Sequence, residues 1–218
     1  MNVPDRLKEL IPTDRVSTQA DLLEVAAHDE SSLPGVTPLA VVWAITTEEI
    51  GRIVRFCYDT GTPITTRGAG SALEGSTIPL KDGIVLDVSR MTNIENLWPE
   101  DLQVRVQPGI VYDRLNDRLK REGLFFPPSP GGSGDIATIG GMVSTNASGI
   151  YSVKYGGTRE YVLALEIVTG EGEVMKIGNR AIKRSSGYNL IDLISGSEGT
   201  LAVISSVTLR LAGIPEDR

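Results

Sequence analysis

The stretch TTRGAGSALEGSTIP, residues 65–79, places glycines at positions 68, 70 and 75 directly after a short β-like segment, and no helical spacing of apolar residues follows it. Glycine takes up positive φ at little steric cost and lets a backbone approach a ligand with no Cβ in the way. A Gly-rich turn after a strand is a frequent seat for a nucleotide phosphate, so the residues that follow decide what the chain can fold into. A Rossmann turn needs GxGxxG opening a helix, whereas Ser76, Thr77, Ile78 and Pro79 cannot continue one. The sequence holds no GxxxxGK[ST] phosphate loop either. The stretch reads as a strand-to-strand loop.

Around that loop the spacing predicts short helices over 3–10 and 18–27, the second capped by Thr18 with Asp21 three residues on. A strand over 39–44 leads to a helix capped by Thr46 and Glu49, with Ile50, Ile53, Val54 and Cys57 facing inward and Gly61 closing it. Strands at 63–66 and 84–88 flank the loop and complete a β-α-β-loop-β lobe. Leu102, Val104 and Val106 then alternate with polar residues as a half-buried strand, and a helix over 111–121 turns Leu115 and Leu119 inward before Gly123. A short helix at 139–146, two strands at 161–169 and 173–177 joined by Gly-Glu-Gly, and a final strand at 201–211 follow. The order is α+β with antiparallel elements in the second half, not a doubly wound sheet.

Glycine is dense in four places: 67–75, 131–141, 146–149 with 154–157, and 196–200. Each is flanked by a strand or helix and carries Ser, Thr or Asn donors, which favours one extended ligand shared among them. The residues 127–141, PPSPGGSGDIATIGG, are too rich in Pro and Gly for a regular element. Nucleophilic and metal chemistry find little support. His28, the one histidine, sits beside Asp29 and Glu30 and reads as a surface residue. Cys57, the one cysteine, lies in an apolar helical series and reads as a core thiol. A Ser-His-Asp or Cys-His unit cannot be assembled from these, so reactivity has to come from a bound cofactor or another chain. A net charge of −7 with no basic run argues against nucleic-acid and anionic-membrane partners. No apolar run reaches the ~18 residues of a transmembrane segment, and the reading is cytoplasmic.

The ordered set TRGAGSALEG, LDVSRM, VQPG, PPSP, ATIGGMVSTNASG, KYG and SSGYNLIDLISGSEGTLAVIS resembles the FAD-binding domain of FAD-linked oxidases, the vanillyl-alcohol oxidase and p-cresol methylhydroxylase superfamily. Within it the chain is most similar to the branch that holds glycolate oxidase and D-lactate dehydrogenase, over residues 35 to 211.

That resemblance implies a two-lobed α+β domain of the p-cresol methylhydroxylase type with FAD between the lobes. It places an N-terminal helical segment at 1–34 and the FAD-binding domain at 35–213, with lobes of about 35–108 and 109–213. Thr66, Arg67, Gly68, Ala69, Gly70, Ser71 and Ala72 are expected to wrap the pyrophosphate, and Pro130, Thr138, Ile139, Gly140 and Gly141 to line the flavin and phosphate chain. Thr145, Asn146, Ala147 and Ser148 are expected to continue that wall, and Glu198, Gly199, Thr200, Val203 and Ile204 to hold the adenine-ribose or ring edge. The covalent-flavin branch carries a histidine where this chain has Ser71, so the FAD is expected to be non-covalent, while Gly131 and Gly132 replace the family's usual serines. The implied chemistry is hydride transfer from a small 2-hydroxy acid to flavin. A C-terminal substrate domain or partner subunit is implied to carry the substrate site, with an iron-sulfur subunit as a further partner and peripheral membrane attachment through it. The family's substrate domain would begin where these 218 residues stop, which reads as a separate domain, a truncated product or half of a split enzyme.

Overall fold

The structure is a computed structural model and describes residues 2–215. Asn2 opens the first helix, α1 (Val3–Leu10), by accepting from the Asp5 N–H at 2.9 Å, and a two-residue strand, β1 (Val16–Ser17), follows. Helix α2 (Ala20–Ala26) starts later than a Thr18 cap requires. Its N-cap is Gln19 without a side-chain bond, and the Ser17 hydroxyl instead accepts from the Gln19 N–H at 3.2 Å.

Strand β2 (Ala40–Trp43) feeds α3 (Thr47–Thr60), where the Thr46 hydroxyl accepts from the Glu49 N–H at 3.2 Å and Gly61 ends the helix at φ 63°. Glu49 does more than cap. Its carboxylate accepts the Ile45 N–H at 3.0 Å and two Arg15 guanidinium bonds at 2.5 and 2.7 Å, both side chains being 10% exposed. The Arg15 guanidinium holds the Glu49 carboxyl below the usual carboxylate range, against the opposing effect of burial. Strands β3 (Ile64–Arg67) and β4 (Ile84–Asp87) complete a sheet of order β1-β2-β4-β3, in which β4 runs parallel to both β2 and β3 and only β1 is antiparallel. Leu7, Ile11 and Val16 share one core with the α3 face of Ile50, Ile53, Val54 and Cys57, so the N-terminal residues are built into this lobe. Burial pushes the Cys57 thiol up to about 12, which keeps it protonated and unreactive at neutral pH.

The second sheet contains β5 (Ile94–Trp98), β6 (Gln103–Val106), β8 (Val162–Thr169), β9 (Val174–Gly178) and β10 (Ala202–Arg210), with the two-residue β7 (Leu124–Phe125) lying outside it against β11 (Ala212–Gly213). The order is β5-β6-β10-β8-β9, antiparallel throughout. Leu102 is not part of the strand: it turns the chain at φ 54°, and Val104 and Val106 alone carry the inward face. Helices α4 (Tyr112–Leu119), α5 (Ile139–Thr145), α6 (Ser152–Tyr155) and α7 (Leu190–Ile194) belong to this half, and Leu115, Leu119, Ile139 and Met142 fill its core.

The middle strands serve two cores at once. Val168 and Val203 pack into the first lobe, while Leu165, Ile167 and Ile204 pack into the second, as the alternation of a strand buried on both faces requires. A register shift between Ile204 and Ser206 changes the parity of β10, so that Val207 and Leu209 return to the second core. Helix α3 seals the junction: the Thr47 hydroxyl donates to Glu166 Oε1 of β8 at 2.8 Å, and a Cβ on Gly172 of the β8–β9 turn would lie 2.6 Å from the Gly51 carbonyl oxygen. Among the described residues no helix is long and apolar enough to cross a membrane.

Candidate functional site

Beyond Arg67 the chain leaves β3 and does not return to the sheet until Ile84, and the intervening loop forms one wall of a cavity of about 460 Å³ between the two sheets. Residues 68–72 adopt a backbone that satisfies none of its own donors. Among the described residues, none of these five N–H groups donates to a protein acceptor, whereas the neighbouring Leu73 N–H is taken by Glu74 Oε2 at 3.0 Å. The loop is instead held from behind. Glu30 N–H donates to the Ala72 carbonyl at 3.0 Å, and Arg67 Nη1 donates to the His28 carbonyl at 2.7 Å. Gly70 sits at φ 73°, and a Cβ there would lie 2.0 Å from Arg67 Nη2. Position 70 thus needs glycine twice over, for its dihedral and for the guanidinium beneath it.

The opposite wall is antiparallel backbone. Tyr112 N–H donates to the Ala137 carbonyl, Ile139 N–H to Ile110 and Gly140 N–H to Pro108, which brings Thr138, Gly140 and Pro108 to the cavity. The Thr138 hydroxyl caps α5 by accepting the Gly141 N–H at 3.3 Å. It also meets the first wall, since a Cβ on Gly68 would lie 2.5 Å from Thr138 Oγ1. Asn146 leaves α5 at φ 50°, with its Oδ1 accepting the Arg159 N–H at 2.9 Å. Glu198 and Gly199 follow the same inverted turn at φ 55° and 76°, pinned to α5 by Glu198 N–H to the Ser144 carbonyl at 2.9 Å.

Most of the residues expected at the site therefore meet in one cavity: Thr66, Gly68, Ala69, Gly70, Ser71, Ala72, Pro130, Thr138, Gly140, Gly141, Thr145, Asn146, Ala147, Ser148, Glu198, Gly199 and Ile204. Four lie elsewhere. Arg67 turns under the loop to His28, Ile139 is fully buried in the second core, Val203 faces the first core, and exposed Thr200 bonds its own Ser197 carbonyl at 2.6 Å. The cavity adds residues that the glycine pattern does not select, among them Ser76, Thr77, Val88, Pro108 and Ser144. Pro108 has a signal in the VQPG motif; Ser76 and Thr77 lie past the last glycine of the loop.

Electrostatically the lining is a donor surface without a cation. Its ionisable side chains are Glu74 and Glu198, and no Lys, Arg or His reaches it among the described residues. Behind the loop, burial pushes the Asp87 carboxyl up, opposed by its bond from the Ser89 N–H at 2.7 Å, and Arg67 lies in the field of Asp87 and Asp29. Among the described residues no cluster of His, Cys, Asp and Glu could hold a metal ion. Five N–H groups without a protein acceptor, in a loop that lines the cavity and carries Gly68 and Gly70, make a setting suited to an anion such as a phosphate. His28 is exposed at the surface with Nε2 3.3 Å from Glu24 Oε1, away from this chemistry.

The FAD binding domain family matches residues 38–178. The chain is 37% identical over 213 residues to a D-lactate dehydrogenase of Anaerostipes hadrus, covering 97% of this chain and 44% of the relative. It is 38% identical over 194 residues to the glycolate oxidase subunit GlcD of Bacillus subtilis, covering 89% and 41%. The chain thus spans less than half the length of these relatives. Its fold superposes on p-cresol methylhydroxylase with a TM-score of 0.85 at 20% identity, over 98% of this chain and 43% of that one. Both sheets and the loops between them follow that architecture, and the chain belongs to the FAD binding domain family, with the p-cresol methylhydroxylase type of fold.

Proposed function

We propose that this chain is the FAD-binding part of a flavin-dependent 2-hydroxy-acid dehydrogenase or oxidase of the D-lactate or glycolate type. The observation that carries the reading is the run of five N–H groups over residues 68–72 without a protein acceptor among the described residues, in a loop that lines a cavity whose other wall comes from the second half of the chain. These groups hold the pyrophosphate, and residues 137–148 and 198–204 position the two ends of the cofactor. When bound, FAD supplies the hydride-accepting N5 of its flavin ring. The chain contributes binding, orientation and exclusion of water by the packed walls of Pro108, Pro130, Ala137 and Met142. The cofactor is held non-covalently, because among the described residues the cavity lining offers no imidazole, thiol or phenol to form a link.

The substrate's carboxylate needs a cation and its hydroxyl needs a base, and this lining supplies no basic side chain. A further domain or partner subunit provides them in this reading, and an iron-sulfur subunit or quinone takes the electrons. We place the assembly in the cytoplasm or at a membrane face through that partner. The same lack of a cation favours a second reading, a flavin carrier or assembly module without turnover of its own. The two separate by assay: the FAD-loaded chain is mixed with the separately expressed substrate domain of a D-lactate dehydrogenase relative, and dye reduction is followed with D-lactate and glycolate. Turnover absent from either part alone supports the enzyme; no turnover with either acid, while FAD stays bound, supports the carrier.

A further inference from the structure

Arg67 holds a positive charge against the loop without entering the cavity. Gly70 lines the cavity, and a Cβ there would lie 2.0 Å from Arg67 Nη2, 2.2 Å from its Cζ and 2.7 Å from its Nε, so the guanidinium packs along its length on this one residue. A single glycine separates the charge from the lining. The Nη1 bond to the His28 carbonyl at 2.7 Å fixes it in that place. Burial pushes the guanidinium pKa down, opposed by the fields of Asp87 and Asp29, yet neither carboxylate forms an ion pair with it among the described residues. Both are bonded elsewhere, Asp87 to the Ser89 N–H at 2.7 Å and Asp29 to the Ser31 N–H at 2.8 Å. A half-buried guanidinium with no bonded counter-charge is costly to the fold, and an anion seated on the loop it underlies would offset that cost.

We propose that Arg67 is a positioning residue for the cofactor's diphosphate, supplying from behind the loop the positive charge that the cavity lining lacks. The inference rests on the reading that FAD occupies this cavity. The ionisable side chains of the lining are Glu74 and Glu198, and Asp29 and Asp87 stand behind the loop, so losing the guanidinium leaves a diphosphate among carboxylates. A charge in a partly buried setting acts over several ångströms with far less screening than in water. Contact with the ligand is therefore not required. The neutral N–H donors of residues 68–72 set where the diphosphate sits, and Arg67 makes that position electrostatically favourable. The His28 carbonyl then has a second consequence besides bracing the loop, since it holds the charge beneath Gly70 and out of the space the cofactor fills.

Arg67→Gln keeps an N–H donor for the His28 carbonyl and removes the charge; Arg67→Lys keeps a donor and the charge. Titration of the apo proteins with FAD, followed by flavin fluorescence, is expected to give about a tenfold higher Kd for Arg67→Gln and a value within about threefold of wild type for Arg67→Lys. Melting of the apo proteins shows that each variant is folded before it is titrated, and Arg67→Met, which keeps the stem and removes the charge, replaces Arg67→Gln if that variant does not fold. An unchanged Kd for the neutral variant overturns the proposal. Equal losses for the neutral variant and Arg67→Lys also overturn it, since bracing the loop would then be the whole role of the side chain. Wild-type protein that takes up no FAD overturns this inference and the reading of the cavity together, an outcome distinct from a protein that binds FAD whatever the charge at position 67.

Discussion

Gly70→Val is expected to abolish FAD retention while leaving a folded protein. Two separate effects meet at this position. A β-branched residue at φ 73° adopts a conformation that costs about 1–2 kcal/mol or more, and its Cβ would lie 2.0 Å from Arg67 Nη2. The guanidinium then has to leave the His28 carbonyl, the bond that braces the loop from behind. Because the five N–H groups lie in one short loop, shifting the middle of the run moves them all, and an affinity loss of more than about a hundredfold is expected. The rest of the lobe packs through α3 and the parallel strands and is untouched. The apo melting temperature is expected to fall by only about 4–8 °C for ~2 kcal/mol. Equilibrium dialysis with FAD and a thermal melt of the apo protein read the two effects separately. FAD uptake equal to wild type would show that the loop is not the pyrophosphate seat.

The second large effect is expected far from the cavity. Arg15→Met leaves the Glu49 carboxylate buried without the guanidinium that bonds it, and breaking a buried pair from one side costs about 3–5 kcal/mol. Its dependence on pH has a definite sign. In the wild type the Arg15 bonds lower the Glu49 pKa, so the pair stabilises the fold above the ordinary carboxylate pKa of about 4.3 and loses that contribution as pH falls through the lowered folded value. In Arg15→Met burial is opposed only by the Ile45 N–H and the field of Arg52, so the carboxyl pKa rises above its wild-type position and acid relieves the defect. Urea unfolding midpoints for the two proteins are expected to differ most at neutral pH and to converge toward acid. A gap that widens on acidification would contradict the pairing.

How much of this is legible in the sequence follows from what each signal reports. Gly68 and Gly70 can be read because glycine identity records a backbone demand directly, and the missing helix after Gly75 is enough to reject a Rossmann turn. The face of α3 and its Thr46 cap are equally plain, being local in spacing. Strand β5 is not, because Glu95 and Asn96 are exposed on an edge strand whose apolar alternation is too short to register. The two-residue β1 exists only through pairing with β2, which no local pattern reports. The double burial of β8 and β10, and the register shift at Ser205 that redirects half of β10, depend on two cores meeting, and a continuous apolar run reads the same whether one core or two cover it.

At the site the differences have a common form. Arg67 lies among cavity-lining neighbours in sequence, yet the residue at the end of β3 points behind the loop, to His28. Ile139 and Val203 share motifs with lining residues, and the periodicity of α5 and β10 turns their side chains into the cores instead. Glu49 reads as a cap alone, since its partner Arg15 is 34 residues away.

The central claim is that the cavity between the sheets binds one FAD through the loop over residues 68–72. Titrating FAD into the purified wild-type chain while following flavin fluorescence and melting temperature tests it most directly. The expected result is saturable uptake of one FAD per chain, released on denaturation as free FAD, with the melting temperature raised by about 5–10 °C at a hundredfold excess over Kd. A protein that stays colourless, with a melting temperature indifferent to FAD, would contradict the account.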